Sequence, residues 1–180
     1  MKSAVLVNGV PASGKSSVAR LVSGATGWPL LGLDTIKEAL FAHLGMGDRD
    51  YNRLLGKASY QAIFAAVADF PGGTTVVIDA WFGFQPLETL QEHIARAGLD
   101  QIVEVWCHAA PDVIGARYLS RVNERPSGHL GADYVPELIA LAARAKPLGP
   151  FVTIDADTSL PIHADNMTTR IREALSVVSR

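Results

Sequence analysis

Short apolar runs alternate along the chain with longer stretches in which apolar positions recur every three or four residues. The short runs predict strands at Ser3–Asn8, Leu30–Leu33, Thr74–Ile78, Gln101–Cys107 and Phe151–Ile154. The first is almost wholly apolar, as a strand covered on both faces must be. The longer stretches predict helices at Lys15–Ser23, Thr35–Leu44, Asp50–Phe70, Pro86–Ala97, Pro111–Asn123, Tyr134–Ala145 and Asn166–Val178. In the third, Leu54, Leu55, Ala58, Ala62, Ile63, Ala66 and Val67 make the expected buried stripe. Gly45 to Gly47, Pro71-Gly72-Gly73 and Gly98 end elements, and Pro126, Gly128 and Gly131 make Glu124–Asp133 a loop. Alternating strands and helices predict an α/β fold, a three-layer α/β/α sandwich with a five-stranded parallel sheet. No linker composition interrupts it, so residues 1–180 are expected to form a single domain, with a lid segment at about 121–133.

Composition narrows the class. A chain of 180 residues can bury roughly 70% of its unfolded surface without staples. The net charge of -2 gives no global basic field for duplex nucleic acid or an anionic membrane. One cysteine, Cys107, excludes an intramolecular disulfide and fits a reducing compartment. It is expected to be buried rather than a nucleophile. The apolar run Ala4–Val7 is too short for a signal segment or a membrane span, so the expectation is a soluble, cytoplasmic protein with no membrane contact. The five histidines show no zinc spacing.

The sharpest chemical signal is Gly9-Val10-Pro11-Ala12-Ser13-Gly14-Lys15-Ser16, a complete phosphate-binding loop between a predicted strand and a predicted helix. Its glycines let backbone N–H groups approach phosphate oxygens without a Cβ in the way. The helix behind it points its positive end at the same anion. Lys15 can reach the β- and γ-phosphates, and Ser16, rather than its neighbour Ser17, can ligate Mg²⁺. The expected nucleotide contacts are therefore Gly9, Pro11, Ala12, Ser13, Gly14, Lys15, Ser16 and Ser17, with Arg117 beside them and with ATP and Mg²⁺ as cofactors.

Two predicted strands end in aspartate, Asp34 and Asp79, at the edge of the sheet where ligands bind. A phosphotransferase needs one carboxylate to take a proton from the acceptor hydroxyl and often another to hold the metal. Asp34 is the better candidate for the base, since Lys37 follows one turn on and could grip the acceptor. Asp79 ends Val76-Val77-Ile78, an apolar strand followed by an acid, and is the candidate metal or substrate holder. The two roles remain exchangeable at this level, and each acid could instead cap a helix. Trp81, Phe82 and Phe84 could wall an acceptor pocket or pack in the core. Arg117, Arg121 and Arg125 recur every four residues and would share one helix face running into the lid, with Arg121 and Arg125 placed to neutralise the transferring phosphoryl.

Three stretches, GVPASGKSS, GLDTIKEAL and VVIDAWF, resemble the small P-loop kinases of the nucleotide/shikimate kinase superfamily. Within it the likeness is greatest to chloramphenicol phosphotransferase-like proteins and to the kinase modules of polynucleotide kinases. The resemblance implies the P-loop NTPase fold with sheet order 2-3-1-4-5, a general-base Asp34, a substrate-contacting cation at Lys37 and lid arginines at Arg121 and Arg125. Shikimate kinases carry a pair of acids around the second strand and a glycine triplet after the third. Here Asp34 stands alone and Asp79 is followed by Ala80-Trp81-Phe82, which argues against shikimate as the substrate. No Asn/Thr-Lys-x-Asp guanine motif is present. The expected function is ATP-dependent phosphorylation of a hydroxyl on a small molecule such as an antibiotic, sugar or nucleoside. The alternatives are a kinase of polynucleotide 5′-hydroxyls and a non-catalytic P-loop switch. The sequence says nothing of oligomeric state.

Overall fold

The structure is a computed structural model that describes residues 1–124 and 128–178. Five strands, β1 (Ser3–Asn8), β2 (Leu30–Gly32), β3 (Thr75–Ala80), β4 (Gln101–His108) and β5 (Val152–Asp157), form one sheet. All its pairings are parallel, in the order β2-β3-β1-β4-β5. Helices α1 (Lys15–Thr26), α2 (Leu33–Leu44), α3 (Arg49–Ala68), α4 (Leu87–Arg96), α5 (Pro111–Ser120), α6 (Val135–Arg144) and α7 (Ala164–Val178) connect and cover the strands. This is the expected α/β architecture with the expected strand order.

Central strand β1 is buried along its whole length, which is why its sequence is continuously apolar. Its alternate side chains feed two cores. Val5 and Val7 pack with Val18, Ala19 and Ile171, under α1 and α7. Ala4 and Leu6 pack with Tyr60, Ile63 and Phe64, under α3. Among the described residues no helix is long and apolar enough to cross a membrane.

Three expectations need correction. The buried stripe of α3 is Leu55, Gly56, Ser59, Tyr60, Ile63, Phe64 and Val67, whereas Leu54 is 60% exposed and Ala58, Ala62 and Ala66 face solvent. Small alanines made two faces of this helix look equally apolar, and the aromatic pair Tyr60–Phe64, ring centroids 5.1 Å apart, decides between them. Helix α5 stops at Ser120, so the arginine row does not share one helix: Arg121 is its C-cap and exposed. Arg125 lies outside the described residues. Finally, β5 runs on to Asp157, because it stays in register with β4 as far as His108.

Candidate active site

The phosphate loop leaves β1 at Asn8 and enters α1 at Lys15. Its shape demands its composition. A Cβ on Gly9 would lie 2.3 Å from Ser13 Oγ and 2.4 Å from the Cys107 carbonyl oxygen. Ala12 and Gly14 take left-handed φ angles of 65° and 86°, and for the alanine this is local strain of the kind that sites retain. No side chain caps α1, so its leading N–H groups are left for an anion. Ser13 Oγ is buried and has no hydrogen-bond partner.

The loop is held from beneath by residues the sequence reading passed over. Asn8 is fully buried; its Oδ1 accepts from Gly9 N at 2.8 Å and Phe82 N at 3.1 Å. Its Nδ2 donates to Glu104 Oε1 at 2.8 Å. Glu104, on β4, is likewise fully buried and accepts from Leu148 N and Thr153 Oγ1. Burial pushes its pKa up, and these hydrogen bonds oppose the shift. The chain thus ties the start of the loop to the segment after β3. A polar residue closing an apolar strand, and an acid inside Ile102-Val103-Glu104-Val105-Trp106, were the available signals.

The two acids meet as expected. In the sheet Gly32 pairs with Asp79, and Asp79 also pairs with Val7. Asp34, two residues beyond Gly32, therefore lies beside Asp79. Gly32 is the N-cap of α2, so Asp34 sits inside its first turn and is not the capping residue. Asp34 is exposed, whereas Asp79 belongs to β3 and is half-buried. Burial raises the Asp79 pKa and Asp34 adds to this, while Lys15 and a hydrogen bond from Ser16 pull it down. Asp79 Oδ1 has no hydrogen-bond partner. An orphaned carboxylate oxygen beside the Ser16 hydroxyl fits Mg²⁺, which commonly takes one carboxylate, a hydroxyl, waters and substrate phosphates. No cluster of three or more His, Cys, Asp or Glu among the described residues could hold a metal ion by itself.

Lys15, Ser16, Asp34, Lys37, Asp79 and Trp81 border one cleft of about 830 Å³. Pro11, Ala12, Gly14, Ser17 and Arg121 reach it as well. Phe82 is buried in the core and Phe84 lines the cleft, so the aromatic run divides between packing and the site. Lys37 Nζ lies 5.4 Å from the Phe41 ring centre. A second cavity of about 490 Å³ lies behind the loop between Leu21, Arg117, Thr158 and Ile162. Arg117 points here, donating to Thr158 Oγ1 and Thr158 O at 2.9 Å each. Thr158 Oγ1 in turn donates to Ser13 O at 2.8 Å. Arg117 therefore serves the loop after β5 rather than a lid face.

After the undescribed stretch, the chain returns against α2 and α3. Asn52 Nδ2 donates to Gly128 O, His129 Nε2 lies 2.8 Å from Glu38 Oε1, and Tyr118 OH donates to Leu130 O at 2.6 Å. Cys107 is buried, which pushes its thiol up to about 12, so it offers no thiolate.

The parallel sheet, its strand order and the phosphate loop define a small P-loop kinase fold. A family model described as "AAA domain" matches residues 5–138, and the chain belongs to that family. No curated protein matches its sequence. Among solved structures it is similar to a candidate kinase from Chloroflexus aurantiacus J-10-fl, with 26% identity, a TM-score of 0.80 and coverage of 97% of this chain and 98% of that one. A gluconokinase from Sinorhizobium meliloti 1021 shares the fold at 23% identity and a TM-score of 0.56, covering 99% and 92%. A shikimate kinase from Acinetobacter baumannii, in complex with shikimate, does so at 12% and 0.58, covering 96% and 92%.

Proposed function

We propose that the protein moves the γ-phosphoryl of ATP to a hydroxyl group of a small molecule, with Asp34 as the general base. The observation that carries this reading is the contrast between its two acids. Asp79 is half-buried against Lys15 and Ser16, while Asp34 is exposed in the same cleft.

The backbone from Gly9 to Ser16 and the start of α1 hold the triphosphate, and Lys15 contacts its outer phosphates. Ser16 and Asp79 would hold Mg²⁺, which when bound neutralises charge on the phosphate oxygens. The adenine ring of ATP would sit in the cavity between Ser17, Leu21 and Arg117. Lys37 and Trp81 position the acceptor. Its hydroxyl gives its proton to Asp34 as the oxygen bonds to the γ-phosphorus and ADP leaves. Arg121, on the rim of the same cleft, supplies countercharge to the transferring phosphoryl group, and the chain acts as one domain. A single cysteine that is buried fits a reducing, cytoplasmic setting.

The test is an acceptor screen with γ-labelled ATP, followed by Asp34→Asn with the best acceptor. Transfer should fall roughly 10²–10⁴-fold while Mg·ATP affinity is unchanged. Full activity in that variant would move the base elsewhere, to Asp79 first.

A further inference from the structure

Helix α3 turns toward the cleft a stripe that includes Arg49, Arg53, Gly56 and Lys57. Two features of this stripe cost the helix stability and are not repaid by packing. Glycine inside a helix costs about 1 kcal/mol relative to alanine. Gly56 is a buried position of α3, yet a Cβ added to it would meet nothing within 4 Å. Neither a backbone angle nor a close neighbour requires glycine there; what its missing side chain leaves is room in the cleft.

The second feature is like charge at a spacing of four. Arg49, Arg53 and Lys57 repel along one face, by a few tenths of a kcal/mol per pair. Glu137 answers Arg49 with two contacts of 2.6 and 2.9 Å. Arg53 has Asp50 at 3.4 Å, an exposed pair worth little. Lys57 has no ion-pair partner among the described residues. Local rules broken twice on one face, both toward a cavity, are what a binding surface produces.

We infer that the acceptor is an anionic alcohol that sits over Gly56 and sets a carboxylate or phosphate group against Arg53 and Lys57, with its hydroxyl toward Asp34. This rests on the kinase reading and adds the charge and seat of the substrate. The cations take the end of the molecule remote from the reacting hydroxyl. Gly56 sets how bulky the part between can be.

Calorimetry on the full chain with Mg·ADP bound tests it, using two matched pairs of probes: glucuronate against glucose, and ribose 5-phosphate against ribose. An anionic probe should bind at least roughly tenfold tighter than its neutral partner, as a charged hydrogen bond allows. Which pair shows the preference separates a carboxylate from a phosphate. The double variant Arg53→Ala/Lys57→Ala should erase the preference with Mg·ADP affinity unchanged. Gly56→Leu should abolish probe binding, and Gly56→Ala should weaken it while raising thermal stability. Equal binding within both pairs, no probe binding, or a preference that survives loss of both cations overturns the inference. So does tighter binding of an oligonucleotide with a free 5′-hydroxyl than of either small anion. Failure of Mg·ADP itself to bind would instead overturn the kinase reading.

Discussion

The two sides of the cleft are built by different means. On the side of the phosphate loop the wall is largely main chain, and its geometry is enforced by neighbours that tolerate no extra atom, as at Gly9. On the acceptor side it is side chains projecting from α2 and α3, with Asp34, Arg53 and Lys57 exposed. A triphosphate is the same for every such kinase, so a rigid cradle serves it. An acceptor differs from one enzyme to the next, and exposed helix faces can be rewritten without touching the core.

Breaking the cradle should have the largest effect. Gly9→Ala drives a Cβ into a backbone carbonyl, and is expected to remove measurable Mg·ATP binding and to lower stability by roughly 3 kcal/mol or more. Calorimetry and thermal unfolding read both. Next is the support beneath the loop. Glu104→Ala orphans Asn8 Nδ2 and Leu148 N, for a loss of about 2–4 kcal/mol in denaturant titration.

Glu104→Gln separates charge from hydrogen bonding. Burial raises the Glu104 pKa, so the native protein binds that proton more tightly than the unfolded chain does. Its contribution is complete below the ordinary carboxylate range and is lost as pH rises through the raised value. Wild-type stability should fall across that window, and Glu104→Gln should flatten the fall. A smaller effect is expected of Arg117→Ala, which releases Thr158 and raises the KM for ATP by roughly three- to tenfold with little change in kcat. On the acceptor side the smallest effect is Gly56→Ala, with a gain of about 0.5–1 kcal/mol in thermal unfolding and no change in ATP affinity.

This asymmetry also governs what the sequence revealed. Strand positions were legible because β1 and β3 are buried on both faces and so read as apolar runs. The phosphate loop was legible because its geometry admits few residues. Asp34 and Asp79 were placed at the right edge because strand ends converge there in a parallel sheet. The face of α3 was not legible, since alanines flank both sides and only tertiary packing of Tyr60 and Phe64 chooses one. The cation spacing Arg49–Arg53–Lys57 was present but unread, because an exposed charged row on a helix carries no meaning until a cleft lies against it. Arg117 was expected beside the nucleotide, but its partner Thr158 is 41 residues away and no local pattern links them.

The central claim is that the loop from Gly9 to Ser16 holds a triphosphate independently of the acid that serves the acceptor. Titration calorimetry of Mg·ATP into wild type, Lys15→Ala and Asp34→Asn tests it most directly. Wild type and Asp34→Asn should bind equally and be displaced by ADP, and Lys15→Ala should lose at least roughly tenfold in affinity. Absence of heat with wild type, or equal binding by Lys15→Ala, would contradict the account.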